Sequence, residues 1–184
     1  MSAKKKFNAD RILGISAMGI SLLTLAIFIY QTDIMRVQSK LSVKPRLDFT
    51  TNQGGNDSTI VFQEVLENKG LGPAIIDSIY FKFKGKQHAL NPEQFLKEQL
   101  PKMLEYGYLS QHVTLGKGTT LSPGEERPLF TYKLPASYLD SVFDYLGTDM
   151  DGVDPFPVEV IYTSIYEDEF WMVSSESSEP ESLN

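Results

Sequence analysis

The first apolar feature of the chain is a run without a single charge, from Ile12 to Tyr30. Its 19 residues, helical at ~1.5 Å each, reach roughly 28 Å, close to the ~30 Å hydrocarbon core of a bilayer. A backbone in lipid has to satisfy its own hydrogen bonds, so the pattern predicts a transmembrane helix. Lys4, Lys5, Lys6 and Arg11 flank one side, Arg36 and Lys40 the other, and Tyr30 stands where an interfacial aromatic belongs. A buried core helix and a cleaved signal peptide are the competing readings. The run is longer than a usual signal h-region and no A-x-A-like site follows it, which favours an uncleaved anchor. Ala17 and Ser21 form a small-xxx-small pair, with Gly14, Gly19 and Thr24 as further small residues. That spacing can bring two membrane helices together, but small residues are common in any membrane helix, and a plain anchor is the simpler reading. Residues 31–42 carry no breaker, so the helix is expected to leave the bilayer and stop before Pro45.

Beyond that point the apolar period changes to two, the spacing of half-buried strands. Ile79, Phe81 and Phe83 alternate with Tyr80, Lys82 and Lys84 within 74–84, and Phe130, Tyr132 and Leu134 alternate with Thr131 and Lys133. Segments 47–50 and 59–66 are further candidates, and 158–165 with 169–173 read as a closing hairpin around Tyr166, Glu167 and Asp168. Two helices interrupt the strands. Asn91 can cap one that starts at Pro92, with Gln94 at the capping-box position and Leu96, Leu100, Met103 and Leu104 as its stripe. Pro101 should kink or split it. The second runs from about Ala136 to Leu146, with Leu139, Val142, Phe143 and Leu146 on one face and Gly147 as its stop. Two turns stand out. In Asn68-Lys69-Gly70-Leu71-Gly72-Pro73-Ala74 the glycines allow positive φ, and the segment should join two strands. In Leu121-Ser122-Pro123-Gly124-Glu125 the Pro-Gly pair suits a type II turn leading into the strand at Phe130. The expectation is mainly β: a transmembrane helix at 12–30, a helical extension over 31–42, and a two-sheet β-sandwich of six or seven strands with two short inserted helices over 43–173. Residues 174–184 are polar, acidic and without periodicity, and read as a disordered tail.

The net charge of −7 hides a gradient. Residues 1–46 hold eight Lys/Arg against two Asp, residues 47–133 are nearly balanced, and residues 134–184 hold twelve acidic residues and no Lys or Arg. A basic end beside an acidic end suits a membrane-proximal N-terminus and argues against nucleic-acid binding. The Lys/Arg counts near the two helix ends tie at four each, Lys4, Lys5, Lys6 and Arg11 against Arg36, Lys40, Lys44 and Arg46. The crowding of the first four on a short tail, with the acidic bulk after the helix, favours an inner-side N-terminus and an outer bulk domain.

Candidate chemistry is sparse. The absence of cysteine excludes disulfides, thiolate zinc sites, iron–sulfur clusters and a thiol nucleophile. The loop carrying Asp149, Asp151 and Asp154 is the best candidate for calcium, yet Gly152 and Val160 break the EF-hand spacing and a plain exposed loop is favoured. Gly116-Lys117-Gly118-Thr119-Thr120 lacks the spacing of a phosphate-binding loop and reads as a turn between strands. His88 and His112 form no metal-ligand or catalytic spacing, and there is no G-x-S-x-G elbow. Glu125 and Glu126, beside the Pro-Gly turn, should be solvated. Trp171, Phe170 and Tyr166 cluster near the final hairpin; exposed, they would make a partner-binding patch, but alternation places at least one of Phe170 and Trp171 in the core. No catalytic, cofactor or metal residue is assigned.

The phrase V-L-E-N-K-G-L-G-P-A followed by L-S-P-G-E resembles bacterial immunoglobulin-like domains, including those related to cell-adhesion modules. Across most of residues 12–173 the chain is similar to a group of uncharacterised bacterial single-pass membrane proteins. In that group an N-terminal helix precedes a segment like Leu41-Ser42-Val43-Lys44-Pro45-Arg46-Leu47, then the N-x-G-x-G-P-A and P-G-E turns, then a hairpin similar to 162–171. The resemblance implies an immunoglobulin-like sandwich anchored in the bacterial cytoplasmic membrane, and no activity. Some relatives carry cysteines in the hairpin; this chain has none, so no thiol role is implied. The reading is a non-catalytic interaction module held in the lipid bilayer through Ile12–Tyr30, with a protein partner. A structural subunit assembled through the membrane helix is the alternative, and a hydrolase with an unrecognised site is the weakest.

Overall fold

A computed structural model describes residues 9–147, 157–167 and 169–183. Two units result, one ending at Ser42 and the other beginning at Val43. The first is a single helix, α1 (Ala9–Ser42), of 34 residues with none buried. It is long and apolar enough to cross a membrane. Its hydroxyls are turned back onto its own backbone, as in Ser21 Oγ to the Ala17 carbonyl at 2.9 Å and Thr24 Oγ1 to the Ile20 carbonyl at 2.9 Å. That satisfies polar groups that lipid cannot.

The second unit is mainly β. Its strands are β1 (Leu47–Asn56), β2 (Thr59–Asn68), β3 (Ala74–Phe83), β4 (Lys86–His88), β5 (Tyr108–His112), β6 (Thr120–Leu121), β7 (Glu126–Pro135), β8 (Val158–Thr163), β9 (Phe170–Ser174) and β10 (Ser177–Ser182). One antiparallel sheet has the order β1-β2-β7-β5, the other β10-β9-β8-β3-β4 with β6 beside β3. Leu47 and Leu66 from the first sheet meet Ile76, Val158, Val160, Tyr162 and Val173 from the second in one core, in a sandwich-like arrangement.

The period-two readings hold where one face is buried. In β3 the phase changes partway: Ala74 and Ile76 point inward, a bulge intervenes between Ile76 and Ser78, and Phe81 takes over as the buried residue. An extra residue in one strand flips the faces beyond it.

The first inserted helix splits as expected, into α2 (Pro92–Gln99) and α3 (Met103–Tyr106) around Pro101. Asn91 Oδ1 accepts from the Gln94 N–H at 2.8 Å, but the Gln94 side chain turns to Glu98 instead of closing a capping box. The split also resets the helical phase. Phe95, Leu96, Leu100 and Met103 are buried, while Leu104, expected on the stripe, is exposed. Phe95 plugs the core by stacking on Phe81 at 4.7 Å between ring centroids. The Tyr132 hydroxyl donates to the Met103 carbonyl at 2.6 Å, tying α3 to β7. The second insertion is a 3-10 turn (Ala136–Tyr138) followed by α4 (Leu139–Leu146), stopped by Gly147 at φ 71°.

Two expectations are corrected. Ten strands are present among the described residues, not six or seven, because β4, β5 and β6 are too short or too exposed to show alternation. Over its described residues, 174–183, the segment read as a disordered tail (174–184) is part of the fold, which does not stop at 173. β10 pairs antiparallel with β9, Glu181 opposite Met172 and Ser182 opposite Trp171, and the Leu183 N–H reaches the Phe170 carbonyl at 2.9 Å. An outer strand is held by backbone bonds and needs no apolar face, so polarity alone misled.

Candidate interaction surface

The two turn motifs form one structure centred on Asn68. Its side chain is fully buried and uses all four of its hydrogen-bonding positions. Oδ1 accepts from the N–H groups of Arg46 (3.3 Å) and Gly70 (3.0 Å), and Nδ2 donates to the carbonyls of Gly72 (2.9 Å) and Leu121 (3.0 Å). Its backbone bonds the other turn in both directions, Asn68 N–H to the Glu125 carbonyl and Gly124 N–H to the Asn68 carbonyl. Gly124 has φ 74°, and the Glu125 N–H closes onto the Ser122 carbonyl at 3.0 Å, the geometry of a type II turn. Gly70 and Gly72 do not take positive φ, contrary to expectation. They are there for closeness: a Cβ on Gly72 would overlap the Val43 carbonyl, and one on Gly70 the backbone at Pro45 and Arg46.

Glu125 is not simply solvated. Its carboxylate accepts from the Ser122 N–H at 2.9 Å and pairs with Arg127, and the Ser122 N–H first of all holds its pKa below the ordinary value. The 116–120 segment is a turn between strands. Gly118 and Thr119 bond the backbone of Ile76, and Lys117 is held 2.7 Å from Asp77. That hydrogen bond raises the Lys117 pKa and lowers that of Asp77. His88 lies on β4 and His112 on β5, in different sheets, with His112 Nε2 3.7 Å from Glu93. Asp149, Asp151 and Asp154 lie outside the described residues, as does Asp168. Among the described residues no group of three or more His, Asp or Glu side chains is placed to hold a metal.

Of the hairpin aromatics, Trp171 is buried, packed 5.8 Å from the Tyr162 ring with Lys44 Nζ 5.2 Å from its own ring centroid. Phe170 is half-buried, and only Tyr166 is exposed. The three do not make a patch. A cleft of about 130 Å³, lined by Ile79, Leu90, Val113, Leu115 and Leu129 among others, carries no titratable side chain. It is smaller than the roughly 300–1,000 Å³ of ligand sites.

What remains is the four sheet edges, where unpaired backbone can add a further strand. Three are blunted. β4 has three residues. β5 carries a bulge between Leu109 and Gln111. β10 carries an irregularity, Pro180, and two glutamates, Glu179 and Glu181. β1 is different. It pairs with β2 in unbroken register over ten residues, and from Phe49 to Asn56 it has no charge and no proline. The Leu47 N–H goes to the Tyr162 hydroxyl and the Phe49 N–H to Asp48 Oδ1, away from β2. Alternation then turns the backbone of Thr51, Gln53 and Gly55 outward.

The far half of β1 was not legible as a strand, because residues 51–56 are polar and exposed on both faces. The available signal was the turn. Asn56 Oδ1 accepts from the N–H groups of Ser58 (3.0 Å) and Thr59 (2.9 Å), closing a two-residue hairpin connection.

Comparison with models of known protein families, with curated proteins and with solved structures finds no match to this chain.

Proposed function

We propose that the chain is a membrane-anchored, non-catalytic interaction module of bacterial single-pass type, whose immunoglobulin-like sandwich takes an extended protein segment along the outer edge of β1. The observation that carries this reading is the contrast between edges: β1 is long, in unbroken register and uncharged from Phe49 onward, while β4, β5 and β10 are each blunted. A strand left open where its counterparts are protected is one kept for a partner.

The immunoglobulin-like reading is supported by strand order. Such domains place strands A, B, E and D on one sheet and C, F and G on the other. Taking β1, β2, β3, β5, β7, β8 and β9 as A to G reproduces A-B-E-D and G-F-C, with β4 added outside C and β10 outside G. The anchor is α1, and the charge gradient supports an outer-facing domain on the cytoplasmic membrane.

Proline provides the test, because it removes one N–H. Thr51→Pro removes an outward N–H and leaves the β1–β2 ladder intact, whereas Thr50→Pro breaks the ladder itself. A photo-crosslinking residue at Gln53, in the full chain in native membranes, should trap one protein adduct. Thr51→Pro should abolish that adduct, whereas Thr51→Ala, which loses the same hydroxyl bond to the buried Glu64 carboxylate but keeps the N–H, should retain it at similar stability in urea unfolding read by Trp171 fluorescence. An adduct undiminished by Thr51→Pro, or adducts only from β5, would overturn strand addition at β1.

A further inference from the structure

We propose that α1 is one half of a parallel two-stranded coiled coil, and that its partner is a second copy of this chain. Leu13, Ile20, Ile27, Ile34 and Leu41 stand seven residues apart on the helix, and Ser16, Leu23, Tyr30 and Val37 interleave with them at steps of three and four. These are the a and d positions of an unbroken heptad seam. None of the five charges on α1 falls on it: Asp10, Arg11, Asp33, Arg36 and Lys40 all lie elsewhere. Ser16, the one polar member apart from the Tyr30 hydroxyl, has its Oγ bonded to the Leu13 carbonyl at 2.9 Å.

Lipid accounts for the apolar residues as far as Tyr30, but not for those beyond it. Ile34, Val37 and Leu41 lie past the uncharged run among Gln, Asp, Arg, Ser and Lys, and they are 39%, 54% and 59% exposed. They continue the same stripe, and no other heptad register of α1 stays apolar past Tyr30. In water such a stripe is costly unless covered.

The spacing says what covers it. A straight helix drifts by about 20° per heptad against a 3.5-residue repeat, so four heptads would carry the stripe off a flat partner surface. Two helices that supercoil around each other follow it. Copies inserted in one membrane by the same route run in the same direction, which a parallel seam requires. The β-branched Ile20, Ile27 and Ile34 at a, with Leu23 at d, favour two strands. Inside the bilayer the positions flanking the seam are small, Ala17, Gly19, Thr24 and Ala26, allowing close approach, while Ile15, Met18, Leu22, Leu25 and Ile29 face lipid. Eight apolar side chains at roughly 60–120 Å² each give about 500–1,000 Å² per helix, near the ~800 Å² per partner of a stable interface; Ile34, Val37 and Leu41 take theirs out of water, and the five within Leu13–Tyr30 contribute by packing rather than by the hydrophobic effect. The seam is independent of whatever occupies β1.

The chain has no cysteine, so single-cysteine variants of the full protein in its membrane give a clean scan. Ile34→Cys, Val37→Cys and Leu41→Cys should form disulfide-linked dimers on mild oxidation at least tenfold faster than Met35→Cys, Arg36→Cys and Ser39→Cys. Adding Ile34→Asp and Val37→Asp, which set like charges against each other across the seam, should lower the Leu41→Cys dimer yield about tenfold, while the same pair of changes at Met35 and Ser39 leaves it unchanged. Equal rates at all six positions, or no cross-linking with all six open to a soluble maleimide, would overturn the seam. Seam cysteines that do not cross-link yet are shielded from a soluble maleimide would assign the face to a different protein and overturn the second copy. A trimer by mass in detergent would overturn the two-stranded form.

Discussion

Replacing Asn68 should damage the domain out of proportion to the volume lost. Asn68→Ala deletes four hydrogen bonds at a fully buried site and strands two N–H groups and two carbonyls. An unsatisfied buried group costs about 1–3 kcal/mol; with the weak 3.3 Å bond discounted and some water entering, the loss is about 3–6 kcal/mol. That is a large share of the roughly 5–15 kcal/mol that holds a domain together. Asn68→Asp is the sharper variant. It keeps both acceptor bonds but turns a carboxylate oxygen toward the Gly72 and Leu121 carbonyls, which lie 2.9 and 3.0 Å from Nδ2. At pH 7 it should be less stable than Asn68→Ala. Its folded-state pKa would be raised, so its stability is fullest below the unfolded value near 4 and is lost as pH rises through the folded value. The assay is urea unfolding of the full chain in detergent, read by Trp171, the only tryptophan, which is 6% exposed in the core. A loss below 1 kcal/mol for Asn68→Ala, or Asn68→Asp matching it at pH 7, would refute the account of the turns.

Gly72→Ala, whose Cβ meets the Val43 carbonyl, should lower stability by about 2 kcal/mol or more, while Gly116→Ala, in open space, should stay within about 0.5 kcal/mol; paired urea midpoints decide. Burial pushes the Tyr132 and Tyr162 phenols up to about 12 from 10, so the folded state favours their neutral form. Stability from each, on the order of 2–3 kcal/mol, is complete below pH 10 and lost as pH rises through 12; Tyr162→Phe should flatten part of the alkaline slope of the unfolding curve. Alkaline phosphatase fused after Asn184 should be active in cells and a fluorescent protein there dark; the opposite pattern would put the domain in the cytoplasm.

Legibility followed burial. The uncharged run at 12–30, the cap at Asn91 and the stop at Gly147 rest on local chemistry, and each stands where the residues placed it. The strands with one apolar face were equally readable in β3, β7 and β8. What failed depended on partners far along the chain. β10 and the outer half of β1 are strands because a neighbour supplies hydrogen bonds, not because of their side chains. For Gly70 and Gly72 the local pattern suggests backbone freedom, yet their reason is the approach of Val43–Arg46, which no local pattern reveals. The same holds for the candidate site. An edge is recognised as open only once every other edge has been seen to be blunted, and that comparison needs the sheet order.

The most direct test of strand addition is amide hydrogen exchange over 47–58, compared between native membranes and the purified chain. The amides of Thr51, Gln53 and Gly55 should exchange freely in the purified protein and become protected by at least a hundredfold in native membranes, while Thr50, Asn52 and Gly54, bonded to β2, stay protected in both. Outward amides that exchange at the same rate in both settings would contradict a partner strand on β1.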